Sequence, residues 1–228
     1  MITLGIDTST ARGIVAILRD DQPLAEEPFW RGDAKGPPPQ QHLFGAIDSL
    51  LSRHGLAPRE IGLFVVGVGP GSFTGIRVGI AAAKGLALPF ARPIKAVSTF
   101  DALALTALPH MPRDCQQMCV LNDARRDEVY SALYDTSGQR VRDCKIGSLE
   151  EISDDIHDPM WFVSSEIGRF KDALKEICGG FASVCEEPLY PSAAVLGRLG
   201  VRRFQENGNR GDTHIEPIYL RATDYRKL

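Results

Sequence analysis

The feature of this sequence that most constrains the fold is a glycine-rich segment that follows a short apolar run. Residues 63–66 are apolar and end in two valines, which is typical of a buried strand. Residues 67–79 then read GVGPGSFTGIRVG, and the next proline after them is Pro89. The segment therefore predicts a strand, a glycine turn and a helix, in that order.

The glycine turn is a candidate anion site, but it matches neither common nucleotide-binding motif. Unpaired N–H groups and the dipole at a helix N-terminus favour a phosphate. The Gly-Lys-Ser/Thr that closes a Walker loop is missing, and Gly67, Gly69 and Gly71 do not give the G-x-G-x-x-G spacing. A weak nucleotide-proximal role is predicted for four residues of the turn: Gly69, Gly71, Ser72 and Thr74.

The predicted helix carries small residues along one face. Gly75, Gly79, Ala83 and Ala87 recur every four residues and so lie above one another. Each glycine costs a helix about 1 kcal/mol relative to alanine, so close packing on this face should compensate. Two candidates remain for what packs against this face: a neighbouring helix of the same domain, or another subunit.

The N-terminus predicts three consecutive strands, at residues 2–6, 13–18 and 24–30. The first strand ends in an acid followed by three hydroxyl residues: Asp7, Thr8, Ser9 and Thr10. This opening resembles that of the actin-like and sugar-kinase-like ATPases, which implies a ribonuclease H-like α/β fold with two similar lobes. The resemblance also places Asp7, Thr8 and Ser9 near nucleotide phosphates. The alternative is a plain turn in which Asp7 caps loop amides.

Prolines divide the chain into two predicted lobes. Pro109 and Pro112 interrupt the chain after a predicted helix, so we assign residues 1–109 to an N-terminal lobe and residues 110–228 to a C-terminal lobe. A second block of strands follows this boundary. A last helix starts at Pro191 and is a candidate to return to the N-terminal lobe.

Three motifs resemble the TsaB (YeaZ) family of bacterial tRNA-modification proteins. Residues 69–79 are similar to its glycine-rich signature, and residues 123–130 to an Asp-Ala-Arg followed closely by Glu-Val-Tyr. Residues 216–221 are similar to its closing Pro-x-Tyr-Leu-Arg. The family usually has a His-Ser pair before its second helix, where this chain has Pro39 and Gln40.

The second of these motifs also has a purely structural interpretation, which we take as the default. Opposite charges within one turn form an ion-pair network that fixes a hairpin, worth about 1 kcal/mol or less if exposed. The side chains concerned are Asp123, Arg125, Glu128 and Tyr130.

The resemblance implies a non-catalytic, dimerising and activating subunit. The complex would transfer a threonylcarbamoyl group to the adenosine beside the anticodon of tRNAs that read A-starting codons. Implied partners are a TsaD-type transferase, a TsaE-type ATPase and tRNA through the complex only, with a homodimer in the absence of partner. ATP and magnesium are expected for the complex and no cofactor for this chain alone. The implied interface lies on helices at residues 41–54 and 75–88, through Leu43, Ile47, Leu50, Gly75, Arg77, Gly79, Ile80, Ala83 and Ala87.

The inventory of reactive groups favours a chain that is not an enzyme on its own. TsaD proteins hold a metal through histidines near the second helix, whereas the five histidines here lie at least twelve residues apart. We therefore predict neither a metal site nor a catalytic residue. The five cysteines contain no Cys-x-x-Cys pair, and no G-x-S-x-G elbow occurs. Two other classes stay open: an actin-like small-molecule kinase or glycoprotease-like enzyme, and a homodimeric scaffold for an unrelated partner.

Composition predicts where the protein is located and which segment does not contact nucleic acid. No apolar run approaches the roughly 20 residues of a membrane span, and the N-terminus shows no signal pattern, so we expect a cytoplasmic protein that does not contact a membrane. The formal net charge is −3, and residues 143–187 carry eleven carboxylates against four basic side chains. Such a surface repels a phosphate backbone, so we do not expect tRNA to lie there.

Overall fold

The computed structural model describes the following residues of the 228-residue chain: 1–30, 39–153, 156 and 158–220. The side chains of Pro39 and Gln40, at the place of the family's His-Ser pair, lie outside the described part. Arg221 of the closing motif lies outside it as well.

The described chain forms two compact units, Met1–Pro109 with Tyr190–Pro217 and His110–Leu189 with the segment that begins at Ile218. The strands, in chain order, are β1 (Ile2–Asp7), β2 (Arg12–Arg19), β3 (Gln22–Trp30), β4 (Ile61–Gly67), β5 (Ile94–Val97), β6 (Gln117–Arg125), β7 (Glu128–Asp135), β8 (Arg140–Gly147), β9 (Met160–Val163) and β10 (Ala182–Val184). The helices are α1 (Pro39–Arg53), α2 (Phe73–Ala87), α3 (Thr99–Ala107), α4 (Leu149–Ser153), α5 (Lys171–Cys178) and α6 (Ala193–Glu206).

The two units contain sheets with the same topology. In the first sheet the order is β3-β2-β1-β4-β5, with β1, β2 and β3 antiparallel and β1, β4 and β5 parallel. The second sheet has the order β8-β7-β6-β9-β10, again with three antiparallel strands followed by two parallel ones. The predicted α/β fold with two similar lobes is therefore confirmed.

Helices α2 and α6 cover opposite faces of the first sheet. Successive side chains of a strand point to opposite faces. A Cβ added at Gly79 of α2 would contact Val66 of β4, whereas one added at Gly200 of α6 would collide with the neighbouring Val65. The buried, apolar β4 thus has a helix on each side.

The last helix, α6, completes the core of the first unit. Its apolar side chains join residues of β4, β5 and α3 in one buried cluster: Leu63, Val65, Val97, Ala102, Leu196, Leu199, Val201 and Phe204. Glycines permit the close approach, because a Cβ at Gly5 of β1 would lie 2.5 Å from the carbonyl oxygen of Ala193. The part of the chain that follows the second unit therefore packs into the first.

The helical segment that leads into α5 is not continuous. A 3-10 turn at Ile167–Arg169 precedes α5. Phe170 separates them with φ −112° and ψ −15°, and its side chain is buried. The two helical segments therefore meet at a residue whose aromatic ring is buried.

The segment Phe73–Phe90 is long and apolar enough to cross a membrane by length and composition alone, with a mean hydropathy of 1.2. Its composition has another explanation in the fold. The buried residues of α2, from Gly75 to Ala87, pack against the first sheet, and a helix that covers a sheet requires an apolar face.

Candidate functional site

The carboxylate of Asp7, at the end of β1, accepts hydrogen bonds from Ser9 and Thr99 in the interior of the first unit. Its Oδ1 accepts from the backbone N and Oγ of Ser9, at 2.8 and 2.6 Å. Its Oδ2 accepts from Oγ1 of Thr99, at 2.7 Å. Asp7 is 1% exposed, and such burial is tolerated because donors replace the lost water. A Cβ at Gly67 would collide with this carboxylate, which accounts for a glycine at the end of β4.

The glycine turn packs directly onto the acid-hydroxyl turn. The backbone N of Ser72 donates to the carbonyl of Ser9 at 2.7 Å, and a Cβ at Gly71 would lie 2.5 Å from that oxygen. Oγ1 of Thr8 donates to the carbonyl of Gly75 at 2.7 Å. The acid-hydroxyl turn is therefore hydrogen-bonded both to the glycine turn and to the first turn of α2.

Thr99 links the two turns to the start of α3. Its backbone N donates to the carbonyl of Gly69 at 2.8 Å, and the N of Gly69 donates to its Oγ1 at 3.2 Å. No local pattern in the sequence indicates this role, because Thr99 reaches Asp7 across 92 positions. Six of the predicted nucleotide-proximal residues thus meet in one cluster: Asp7, Thr8, Ser9, Gly69, Gly71 and Ser72. Thr74 instead lies exposed in the first turn of α2.

Ser72 has a structural role that the sequence also allows. Its Oγ accepts from the backbone N of Gly75 at 3.3 Å and so caps α2. No lysine or arginine occurs in residues 7–10 or 67–75 to bind a phosphate. The nucleotide-proximal role stays a prediction, and the geometry supports the weak affinity that accompanies it.

The small-residue face of α2 is not a subunit surface. Gly75, Gly79, Ala83 and Ala87 are buried within the first unit, and Gly79 rests against Thr8 and Val66 rather than a helix. The expectation of another subunit on this face was wrong, and so was the alternative of a neighbouring helix. Small side chains here let α2 approach its own sheet closely.

The same correction applies to the apolar residues predicted at this interface. Leu43, Ile47 and Leu50 of α1 and Ile80 of α2 are at most 7% exposed within the single chain. An amphipathic helix turns its apolar stripe to the sheet beneath it, so periodicity alone marks the covered face. Of the nine predicted interface residues, Arg77 is the exposed one.

The opposite side of these helices carries an exposed apolar groove. A cavity of about 440 Å³ is lined by Phe44, Phe73, Thr74, Arg77, Val78, Ala81 and Ala82. Phe44 of α1 and Phe73 of α2 are 46% and 52% exposed. The guanidinium of Arg77 lies over the Phe73 ring, 3.7 Å from its centroid. Aromatic residues outside the core-facing stripe were the signal that the sequence analysis missed.

The second motif forms a hairpin between β6 and β7 in the second unit. Oδ1 of Asp123 accepts from the backbone N of Arg125 at 3.0 Å. Its Oδ2 is 3.3 Å from Nη1 of Arg125 and 2.5 Å from Nη1 of Arg169, a partner that the sequence did not indicate. Glu128 pairs with Arg125 in the strand register, and Tyr130 pairs with Ile146. This geometry supports the structural interpretation of the motif.

Four of the five thiols are buried and have a raised pKa. Burial raises the pKa of Cys119 to about 12, and burial also raises the pKa of Cys115, Cys178 and Cys185. A thiol with a raised pKa holds its proton at neutral pH and is a weak nucleophile. Within the described residues, no three His, Cys, Asp or Glu side chains come together as a metal site.

The doubled sheet topology and the acid-hydroxyl turn place the chain in the actin-like and sugar-kinase-like ATPase fold class. The fold matches that of an activator of 2-hydroxyisocaproyl-CoA dehydratase from Clostridium difficile, with a TM-score of 0.50 and 10% identity over 94% of this chain and all of that one. A Pseudomonas aeruginosa protein described as similar to the peptidase YeaZ matches at a TM-score of 0.75 and 26% identity, over 96% of this chain and 99% of that one.

The sequence comparisons narrow the class to a family. The family model for TsaD, tRNA N6-adenosine threonylcarbamoyltransferase, matches residues 40–156. The tRNA threonylcarbamoyladenosine biosynthesis protein TsaB of Haemophilus influenzae is 34% identical, over 99% of this chain and 96% of that protein. TsaB of Bacillus subtilis is 29% identical, over 98% of this chain and 96% of that protein. The chain belongs to the TsaB family.

Proposed function

We propose that this protein is a non-catalytic subunit in the biosynthesis of tRNA threonylcarbamoyladenosine. In this role it binds a TsaD-type transferase and activates it, without adding a covalent step of its own. Membership of the TsaB family supports the pathway. The mutually bonded Asp7 and glycine turns and the protonated buried thiols support the absence of a catalytic step.

The other components follow from this role. A TsaE-type ATPase subunit uses the ATP and magnesium, and tRNA is bound through the assembled complex in the cytoplasm. The acidic segment of residues 143–187 disfavours a direct RNA site there. Without its partner the chain forms a homodimer through the outer side of α1 and α2, which carries the exposed groove.

The single observation that carries the proposal is the exposed aromatic groove on the first unit. Phe44 and Phe73 both line this groove, together with the small residue Ala81, and both rings are about half exposed. Aromatic side chains are enriched at the buried centre of protein interfaces, where a few such residues supply most of the affinity. We assign this groove to the transferase subunit.

The test uses two groove variants and a matched control. Phe44→Asp and Phe73→Asp place a charge in the groove, whereas Phe181→Asp makes the same change at a phenylalanine of the second unit that is also 46% exposed. We expect the groove variants to weaken binding of the TsaD-type subunit by about thirtyfold or more. Phe181→Asp should bind like the wild type.

A reconstituted reaction gives the second measurement. The TsaD-type and TsaE-type subunits, the threonylcarbamoyl-adenylate donor and tRNA should form modified adenosine only when this protein is added. The protein without the transferase should form none. Modification by this chain without the TsaD-type subunit, or equal binding by groove and control variants that remain folded, would contradict the proposal.

A further inference from the structure

A second cavity of the first unit lies against α6. It has a volume of about 460 Å³, and its apolar lining includes Leu105 of α3 together with Val195 and Leu199 of α6. Arg198 and Arg202 line it as well, four residues apart on α6. Side chains at this spacing are neighbours on one side of a helix. This space, which we call the α6 cavity, therefore combines apolar side chains with two adjacent cations.

Both arginines of the α6 cavity are available to an external acid. Their side chains are exposed, and among the described residues Arg198 has no hydrogen-bond or ion-pair partner. Nε of Arg202 lies 3.6 Å from Oε1 of Glu206, in a pair whose two side chains are both exposed. Such a pair contributes little to stability, so a new partner can replace it easily. Asp21, which also lines the cavity, accepts a hydrogen bond from Gln22.

The α6 cavity and the exposed groove of α1 and α2 lie on opposite faces of the first sheet. Helix α6 covers one face and α2 the other, because a Cβ at Gly200 would meet Val65 and a Cβ at Gly79 would meet Val66. Helix α1 lines the exposed groove together with α2. A molecule bound in that groove therefore leaves the α6 cavity open, and the two are separate sites.

Magnitude and charge decide which kind of partner fits the α6 cavity. A protein that holds nucleic acid through its backbone makes roughly six to ten phosphate contacts. Here two arginines lie beside the acids Asp21 and Glu206, which is too little positive charge for RNA. A second copy that met this surface with the same surface would place arginine against arginine, and like charges in an interface are rejected. An acidic surface with apolar side chains satisfies both parts of the lining.

We propose that the α6 cavity binds an amphipathic helix of a partner protein that is acidic on its polar face. Apolar side chains of this helix pack against Leu105 and Val195, as in other complexes in which a helix lies in a groove. Two carboxylates one turn apart bind Arg198 and Arg202, which have the same spacing. The inference goes beyond the proposed function, because it adds a second binding surface that stays open when the transferase is bound.

Three synthetic peptides serve as probes. The glutamate peptide is a helix of about 18 residues, or five turns, with leucine along one face and glutamate along the other. The lysine peptide has lysine in place of every glutamate, and the glutamine peptide has glutamine in place of every leucine. The glutamate peptide should bind the wild-type protein, more weakly as salt is added, and the two other peptides should bind at least tenfold more weakly.

Three protein variants locate the site. The double variant Arg198→Met with Arg202→Met removes both charges and should weaken binding of the glutamate peptide by about tenfold or more. Val195→Gln makes the apolar lining polar and should weaken it by about fivefold. Arg59→Met makes the same change at an exposed arginine of the first unit outside the cavity, and should bind like the wild type. The thermal unfolding transition of each variant shows that it is folded.

The outcomes decide the inference independently of the proposed function. Equal binding of the glutamate and lysine peptides, or equal binding by the wild type and the double variant, would show that the inference is wrong. So would tighter binding of unmodified tRNA that the double variant loses, because the cavity would then be an RNA site.

The purified TsaD-type subunit gives the last control. In excess it should leave peptide binding unchanged, and the double variant should bind it like the wild type. Displacement of the peptide by this subunit would show that the two sites are not separate, which contradicts the inference. If the wild type does not bind the TsaD-type subunit at all, the proposed function is wrong, and the peptide measurements still decide the role of the α6 cavity.

Discussion

At the scale of single residues, two buried threonines of the first unit differ in what their hydroxyls do. Thr3 and Thr99 are both fully buried. Oγ1 of Thr99 donates to the carboxylate of Asp7 and accepts from the N of Gly69. Among the described residues, Oγ1 of Thr3 has no hydrogen-bond partner. The same side chain therefore stabilises the fold at one position and carries an uncompensated polar group at the other.

Replacing each threonine by valine, which has nearly the same shape, should separate these contributions. Thr99→Val leaves the buried Asp7 with one donor fewer and should lower the free energy of unfolding by about 1–3 kcal/mol. Thr3→Val removes a hydroxyl without a partner and should leave the free energy of unfolding unchanged or raise it. Urea unfolding measures both. Equal losses in the two variants would contradict the role given to Thr99.

At the scale of the element, α2 has two faces with different requirements. Its inner face must be small because the helix lies close to Thr8 and β4. Its outer face carries Phe73, Arg77 and Val78 beside the groove. The helix therefore both covers the core and presents the proposed binding surface, so a substitution on one face tests a different property from one on the other.

Two glycines of α2 give a matched comparison. A Cβ at Gly79 would collide with Oγ1 of Thr8, whereas a Cβ at Gly85 has no atom within 4 Å. Gly79→Ala should lower the free energy of unfolding by about 1–3 kcal/mol through overpacking. Gly85→Ala should raise it by up to about 1 kcal/mol, because alanine is the better helix former. Thermal or urea unfolding compares them, and a stabilised Gly79→Ala would show that α2 does not approach the sheet as described.

At the scale of the whole molecule, the first unit is discontinuous in the chain. Residues Met1–Pro109 form its sheet and three of its helices, and Tyr190–Pro217 adds α6. The face of the sheet that carries Val65 and Val97 is covered by α6. The segment after α6 is also fixed to β5, since Asp212 accepts from Nζ of Lys95 at 2.6 Å and from the N of Ala96 at 2.8 Å.

Removing α6 should therefore unfold the first unit. In a chain that ends at Leu189, the apolar face of the sheet is open to water, and we expect the amides of β1 and β4 to lose protection from hydrogen exchange. A chain that ends at Pro217 keeps α6 and serves as the control. Protected β1 and β4 amides in the shorter chain would show that residues 1–109 fold without α6.

What the sequence determined by itself is the set of local elements and the class of fold. Alternation in residues 2–6 and the apolar run at 63–66 specify buried strands, because these patterns depend only on neighbours along the chain. The glycine turn and the helix after it follow from the same local chemistry. The superfamily and the topology were predicted from the resemblance to known families.

What only the tertiary structure decided is which surface each face meets. The repeat of Gly75, Gly79, Ala83 and Ala87 marks a closely packed face, but a sheet of the same domain and a second subunit require the same small residues. Likewise, the hydrogen bond from Thr99 to Asp7 joins residues 92 positions apart, so no local pattern contains it. Periodicity in the sequence indicates that one face of a helix is buried. Which surface buries that face depends on contacts between distant parts of the chain.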